Sequence, residues 1–156
     1  AVDYGVAATE TELYDAYSNI IGNGSDSDQQ TAEVNLNGKK GWYFHFDQSG
    51  EKVMASSRTS DGKIYFTTYE PAPSLSACRP SVGKARLYIV YQRDARPVRQ
   101  VDGVHRHRPV DLALGDPPST PSIIRIGENR LVCVGPECIP EPPTNDFQQD
   151  FWREEE

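Results

Sequence analysis

The sequence is poor in the features that mark several large classes of protein. No apolar run approaches the roughly 20 residues that a helix needs to span a bilayer, so we expect no membrane insertion. Only 37% of the 156 residues are hydrophobic, and the chain has three cysteines and one methionine. With 12 prolines and 12 glycines it also lacks the helix-forming composition of a bundle. The composition therefore predicts one modest, polar domain that is not all-helical.

Basic residues are outnumbered as well. The chain has 16 basic and 23 acidic residues, and its net charge of −7 repels a phosphate backbone, so we expect no nucleic-acid partner. A basic stretch between Arg93 and Arg108 has no interleaved aromatic residues and is interpreted as a solvated loop. The start at Ala1 has no initiator methionine, basic region or apolar region. We expect a mature or excised piece of a soluble protein.

Catalytic motifs are missing too. The sequence has no Gly-rich phosphate loop, no Gly-x-Ser-x-Gly elbow and no His-Glu-x-x-His helix. Four carboxylates fall at predicted strand ends and turns, where polar turn residues explain them better than an acid pair does. They are Asp47, Glu51, Asp61 and Glu70. His45 is explained better as a cross-strand histidine than as a general base. We expect no catalytic residue, no cofactor and no enzyme.

The cysteines are odd in number, and two of them lie close together. Cys133 and Cys138 are separated by four residues that include Gly-Pro, which can turn the chain so that a disulfide closes a short loop. The alternative is a zinc site completed by Cys78, His105 and His107, whose spacing matches no zinc pattern. We predict a disulfide between Cys133 and Cys138, which implies an oxidising compartment, and no metal site.

Residues 1–40 carry the helical signals and are predicted to be a helical or loop insertion. Apolar residues at helical spacing predict a helix over 10–21. They are Leu13, Tyr17, Ile20 and Ile21. The polar stretch after Gly24 predicts a second short helix over 29–36. Asp26 and Asp28 before it are interpreted as a helix N-cap and not as a calcium loop.

From residue 41 the apolar period changes to two, which predicts antiparallel strands over 41–146. Asp61-Gly62 predicts a type I′ hairpin turn, and a second hairpin is expected over 122–134. The proline-rich residues 92–121 are predicted to be a long loop. The aromatic side chains between positions 42 and 69 are interpreted as sheet core, in preference to a platform for stacking sugars.

The last ten residues, 147–156, are predicted to be a C-terminal docking tail. Phe147, Phe151 and Trp152 follow one another at helical spacing, and Arg153 is adjacent. We predict that these four residues contact a partner.

Several segments together resemble the PilC/PilY family of type IV pilus tip-associated adhesins. Those similar to the closing part of its C-terminal propeller domain are GWY at 41–43, GEKVM at 50–54, GKIYFTTYEP at 62–71, CRP at 78–80 and ARLY at 85–88. LYD at 13–15 and NII at 19–21 resemble the helical insertion that precedes these strands. GDPPSTP at 115–121, LVCVGPEC at 131–138 and FWRE at 151–154 resemble its last blade and tail.

The resemblance implies a mainly β fold: an antiparallel β-meander like the last blades of a β-propeller, with a short N-terminal helical insertion. It implies a C-terminal segment of a bacterial type IV pilus-associated surface protein, which passes through the periplasm to the pilus tip or cell surface. There it would act in pilus assembly and adhesion, by contacts with minor pilins. The family's calcium loop has no counterpart here, so calcium is not carried over.

The strand count gives a related expectation. A blade is a four-stranded meander, so the chain holds about two blades, and an isolated pair exposes apolar faces and sheet edges. We expect these surfaces to dock against the rest of a propeller, a partner or copies of the chain. Two alternative functions stay open: a self-assembling extracellular filament subunit derived from such a protein, and a fragment of a propeller enzyme.

Overall fold

A computed structural model describes residues 8–72, 82–98, 109–127 and 129–141. Most of their strands form two antiparallel sheets that pack face to face. The larger sheet contains β3 (Lys52–Val53), β4 (Arg58–Ser60), β5 (Lys63–Glu70), β6 (Lys84–Tyr91) and β7 (Pro109–Leu112). The smaller sheet contains β8 (Ser122–Ile126), β9 (Asn129–Val134) and β10 (Glu137–Pro140).

The N-terminal region adds a small layer of mixed structure. Its elements are a 3-10 turn at Glu10–Glu12, β1 (Tyr14–Asp15), α1 (Ile20–Asn23), α2 (Asp26–Asn37) and β2 (Trp42–Tyr43). The predicted helix over 10–21 is wrong. The backbone N–H of Tyr14 donates to the carbonyl of Gly41, and that of Ala16 donates to the carbonyl of Tyr43, so the segment pairs with β2 in parallel. Tertiary pairing here overrides a local helical period.

The second helix forms where the polar stretch predicts it. The Ser25 side chain accepts a hydrogen bond from the backbone N–H of Asp28 at 3.4 Å, as an N-cap residue does. α2 begins at Asp26, three residues before the predicted start, and it buries Ala32 and Leu36 against Ile21. The second helix is confirmed and is longer than expected. Its N-cap is Ser25, whereas Asp26 and Asp28, for which the cap was predicted, lie in its first turn.

The larger sheet is a meander in which β4, β5, β6 and β7 pair in chain order. Asp61 and Gly62 connect β4 to β5 with φ values of 48° and 68°, which confirms the predicted turn with positive φ at both residues. β3 pairs with the far end of β5, where Lys52 lies opposite Tyr69. β3 and β4 therefore border the same side of β5.

Two strand predictions need correction. β7 lies inside the predicted loop 92–121 and pairs with β6, so that Leu112 lies opposite Ala85. Pro109 begins this edge strand, a position where a missing N–H is tolerated. At the start of the region predicted to hold antiparallel strands, 41–146, β2 has only two residues and pairs with β1 in parallel.

The two central strands are buried on both faces. One face of β5 and β6 places Tyr65, Leu87 and Ile89 against Val132 and Val134 of the smaller sheet. On the opposite face, aromatic and aliphatic side chains pack against the segment that follows β2. These residues are Phe66, Tyr88 and Val90 in the sheet, and Trp42, Phe44 and Phe46 in the segment. The larger sheet is thus the middle of three layers.

The described residues are mainly β, as predicted, with several antiparallel strand pairs and two short helices. In these parts of the chain no helix is long and apolar enough to cross a membrane. The tail residues Phe147, Phe151, Trp152 and Arg153 lie outside the described residues, as does Cys78.

The β4–β5 turn generates a prediction. We expect Gly62→Ala to lower the free energy of unfolding by about 1 kcal/mol, because φ at this residue is +68° and a left-handed backbone penalises any Cβ. No atom lies within 4 Å of the added Cβ, so the cost comes from the backbone alone. Gly38→Ala is the matched control, since Gly38 has a φ of −84° and its nearest neighbour would lie at 3.6 Å. Urea unfolding measures both; equal losses in the two variants would contradict the assignment.

Candidate protein-interaction surface

Arg86 is the centre of a buried ionic network on the larger sheet. It lies on β6 between Thr68 of β5 and Asp111 of β7. Its Nη2 donates to Glu70 Oε2 at 2.5 Å, while Nη1 lies 3.3 Å from Glu51 Oε2 and Nε lies 3.3 Å from Asp111 Oδ1. Burial alone would lower the pKa of Arg86, but the hydrogen bond to Glu70 and the charges of Glu51, Glu70 and Asp111 outweigh it and raise the pKa.

Glu51 belongs to this network and is not a solvated turn residue. Its side chain is 1% exposed, and its Oε1 accepts hydrogen bonds from Thr68 Oγ1 at 2.5 Å and from the Tyr88 hydroxyl at 2.9 Å. Burial, and then the Glu51 carboxylate, raise the pKa of Tyr88. The expectation of an ordinary polar turn residue at Glu51 is therefore wrong. Its carboxylate is bonded by side chains of its own chain, as expected of a charge that must be paired when buried.

A second ionic cluster joins the two sheets around Glu141, the residue after β10. The buried Lys63 ammonium pairs with Glu141 Oε1, and the Tyr65 hydroxyl donates to the same oxygen at 2.7 Å. Arg130 of β9 lies 2.9 Å from Glu141 Oε2 and also pairs with Asp61 of the β4–β5 turn. The cluster therefore fixes the end of β10 against β5 and explains Asp61 and Glu141 as structural carboxylates.

Of the aromatic residues predicted to form sheet core, Tyr65 and Phe66 are buried in it, and Trp42, Phe44 and Phe46 pack against it; Tyr43 and Tyr69 belong to no core cluster. Phe66 and Tyr88 stack with ring centroids 4.9 Å apart, and Phe44 and Phe46 pack against both. His45, between those two phenylalanines, is exposed and meets the edge of the Tyr43 ring. The aromatic rings pack on one another, and the described ring contact of His45 is with Tyr43.

Cys133 and Cys138 occupy directly opposed positions on β9 and β10. Their sulfur atoms lie 2.02 Å apart, a disulfide, as the sequence predicts for this pair. Among the described residues no group of three histidine, cysteine or acidic side chains is arranged to hold a metal ion. His105 and His107, the other ligands of the alternative zinc site, lie outside the described residues.

The two edges of the smaller sheet differ in chemistry. β10 has Glu137 and Pro140 at its ends and the disulfide to β9 in between, features that disfavour addition of another strand. β8, at the other edge, contains no proline, acidic residue or cysteine. In the part of the chain that the structure describes, β8 pairs with β9 alone. Every second residue of such an edge strand directs its N–H and C=O groups away from its neighbour.

The side chains of this sheet alternate between the core and an apolar outer face. Ile123 packs into the core with Val132 and Ile139. The alternate residues face the other way, and the register places Ile124, Leu131 and Pro140 in one row across the three strands. Ile124 is 43% exposed and Ile126 is 61% exposed, so the apolar row continues to the open edge. Edge and face together form a surface suited to another β-structured chain.

Comparisons of the chain with family models, with curated proteins and with solved structures find no match. The candidate surface, formed by β8 and the apolar row beside it, is therefore identified from its geometry and not from a relative. The sequence analysis predicts neither a contact at β8 nor a buried role for Glu51. The three isoleucines in Ser122–Ile126 are the sequence signal for the β8 surface. The single cation within the apolar residues 85–91 is the signal for a buried carboxylate partner.

The Arg86 network generates a stability prediction. We expect Glu51→Gln to lower the free energy of unfolding by about 2 kcal/mol, because it removes a buried charge from the guanidinium and weakens two hydrogen bonds to the carboxylate. Asp111→Asn is the matched control. It removes a carboxylate from the same guanidinium, but that side chain is 82% exposed and should cost below about 0.5 kcal/mol. Urea unfolding at pH 7 measures both, and a larger loss in the control would show the network to be misassigned.

The two buried phenols predict sensitivity to alkali. Burial and the Glu141 hydrogen bond raise the pKa of Tyr65, and burial and Glu51 raise that of Tyr88, above their ordinary value of 10.0. The folded chain therefore holds protons that the unfolded chain releases near pH 10. Their contribution is complete below pH 10, and the free energy of unfolding should fall as the pH rises above it.

Urea unfolding between pH 8 and pH 11.5, with tyrosinate absorbance recorded in parallel, measures this fall. The double variant Tyr65→Phe/Tyr88→Phe should lose stability at neutral pH and show a shallower decline above pH 10. An equally steep decline in the double variant would assign the effect to other groups.

Proposed function

We propose that this chain is a non-enzymatic segment of a type IV pilus-associated surface protein, which acts in pilus assembly and adhesion through protein–protein contacts. The contact we assign is strand addition: an extended segment of a partner pairs with β8 and covers the apolar row beside it. The partner is a minor pilin or the rest of a propeller, reached at the cell surface or pilus tip.

The observation that carries the proposal is the difference between the two edges of the smaller sheet. Natural sheets blunt exposed edges with charge, proline or cross-links, since an open edge pairs with other chains. β10 has these protections, whereas β8 has only Arg125 among three isoleucines and a serine. The smaller sheet thus protects one edge against strand addition and leaves the other unprotected. This difference is expected if β8 pairs with a partner strand.

Three further observations support the pilus assignment. Strands β4 to β7 pair in chain order, and β8 to β10 do the same, which is the connectivity that propeller blades have. The two sheets also pack face to face across a shared apolar core, as neighbouring blades do. The Cys133–Cys138 disulfide fits the oxidising route through a periplasm. These features agree with the sequence resemblance and are not specific to it.

A second candidate, the self-assembling filament subunit, is favoured by one property of β8. If two copies pair antiparallel about Ile124, Arg125 of each falls opposite Ile123 of the other, so like charges do not meet. The net charge of −7 on each copy opposes this association at low ionic strength. The strand of a different chain is therefore our first choice.

The experiment introduces Ile124→Lys/Ile126→Lys into the full-length protein of the source cells, followed by immunogold electron microscopy. Lysine at both positions adds positive charge to the β8 edge and to the apolar row, and the exposed side chains stay outside the core. We therefore expect the amount of immunogold label at pilus tips to fall at least about fivefold. Val34→Lys is the matched control, because Val34 is an exposed apolar residue on α2, away from the smaller sheet.

Label on pilus tips in the control together with its loss in the edge variant supports the proposal. Unchanged tip label in the edge variant contradicts β8 as the contact, and absence of label from pili in unmodified cells contradicts the pilus assignment. A continuous fibre that is labelled along its length identifies the filament candidate instead. Circular dichroism of the purified variants checks that each remains folded.

A further inference from the structure

The two sulfur atoms of the disulfide differ in their surroundings. Cys133 is 4% exposed and lies on the central strand β9 between the fully buried Val132 and Val134. Cys138 lies on the edge strand β10 and is exposed. We propose that Cys138 is a site of thiol–disulfide exchange, whose ligand is the thiolate of a small thiol or of a cysteine in a partner chain.

The exchange involves one bond made and one broken. The incoming thiolate attacks Cys138 Sγ and forms a mixed disulfide there, while the bond to Cys133 Sγ breaks and Cys133 leaves as a thiolate that takes a proton from solvent. No net oxidant or reductant is needed, because the incoming thiol is oxidised as Cys133 is reduced. The reverse step, attack by Cys133, restores the original bridge.

Access decides which sulfur is attacked. Displacement at sulfur requires the thiolate to approach along the axis of the bond that breaks. An approach to the exposed Cys138 comes from solvent at the edge of the sheet, whereas Cys133, on the central strand, is only 4% exposed and leaves an incoming thiolate little access. The mixed disulfide therefore forms at Cys138.

The rest of β10 stays in place when the bridge opens. Its ladder to β9 runs from Glu137 to Pro140, and Ile139 packs against the core between the sheets. Just beyond the strand, Glu141 is bonded to Lys63, Tyr65 and Arg130. Exchange at Cys138 is therefore a reaction of the folded protein and does not depend on unfolding of the hairpin.

The position of Cys138 links the reaction to the apolar outer face. The register places Ser122, Cys133 and Cys138 in the row next to Ile124, Leu131 and Pro140. A chain that covers this face with a cysteine near β10 would be retained covalently. This inference rests on the accessibility of the two sulfurs and is independent of the proposed pilus function.

The test uses the full chain with Cys78→Ser, so that exchange starts only from the bridge. Folded protein is incubated with glutathione at pH 8, quenched with acid and digested with pepsin for mass spectrometry. We expect glutathione on Cys138 at least about tenfold more often than on Cys133. In urea above the unfolding transition, where both sulfurs are accessible, the preference should disappear.

Glutathione on both cysteines of the folded protein in similar amounts, or mainly on Cys133, would overturn the proposal. So would an absence of adduct in the folded protein when the unfolded protein forms one. The exchange rate in urea below the unfolding transition gives a second test on the same chain. A rate that stays within about twofold supports attack on the folded state, and a steep rise with urea assigns the reaction to opened β10 and overturns it.

Discussion

Strands β5 and β6 are covered on both faces, by the smaller sheet on one side and by the segment 42–46 on the other. Most of the structure follows from this constraint, because a side chain on either face must be apolar or fully paired. Tyr65, Leu87 and Ile89 meet it by packing. Lys63 and Arg86 meet it with ion pairs to buried carboxylates. The Lys63 pair joins the two sheets, whereas the Arg86 pairs connect neighbouring parts of the larger sheet.

The smaller sheet has the opposite property, since the described residues cover only one of its faces. Val132 and Val134 are buried against the larger sheet, while Ile124 and Ile126 remain on the surface. The Glu141 cluster fixes the orientation of this sheet, so the open β8 edge is held by a rigid support. A partner strand would meet a preformed edge, which lowers the ordering cost of association. The same support keeps β10 in place around the disulfide.

The local signals of the sequence predict those elements whose geometry depends on neighbouring residues. Asp61-Gly62 specifies a turn because both residues tolerate positive φ, and Ser25 specifies a helix start because its hydroxyl reaches the N–H of Asp28. The opposed cysteines follow from the same logic, because Gly135-Pro136 turns the chain between them. Residues 64–69 and 85–91 likewise predict strands, because both are rich in β-branched and aromatic residues.

Other features depend on residues far apart in the chain. Leu13, Tyr17 and Ile20 have helical spacing, but hydrogen bonds from Tyr14 and Ala16 to the β2 region outweigh it. Glu51 follows a turn and looks solvated in sequence, yet Thr68, Arg86 and Tyr88 surround it once the sheet forms. The sequence by itself determined the turns, the cysteine pair and the mainly β character, because local geometry is enough for these. Tertiary structure alone decided which carboxylates are buried and that β8 has β9 as its one partner strand among the described residues, because both depend on which strands become neighbours.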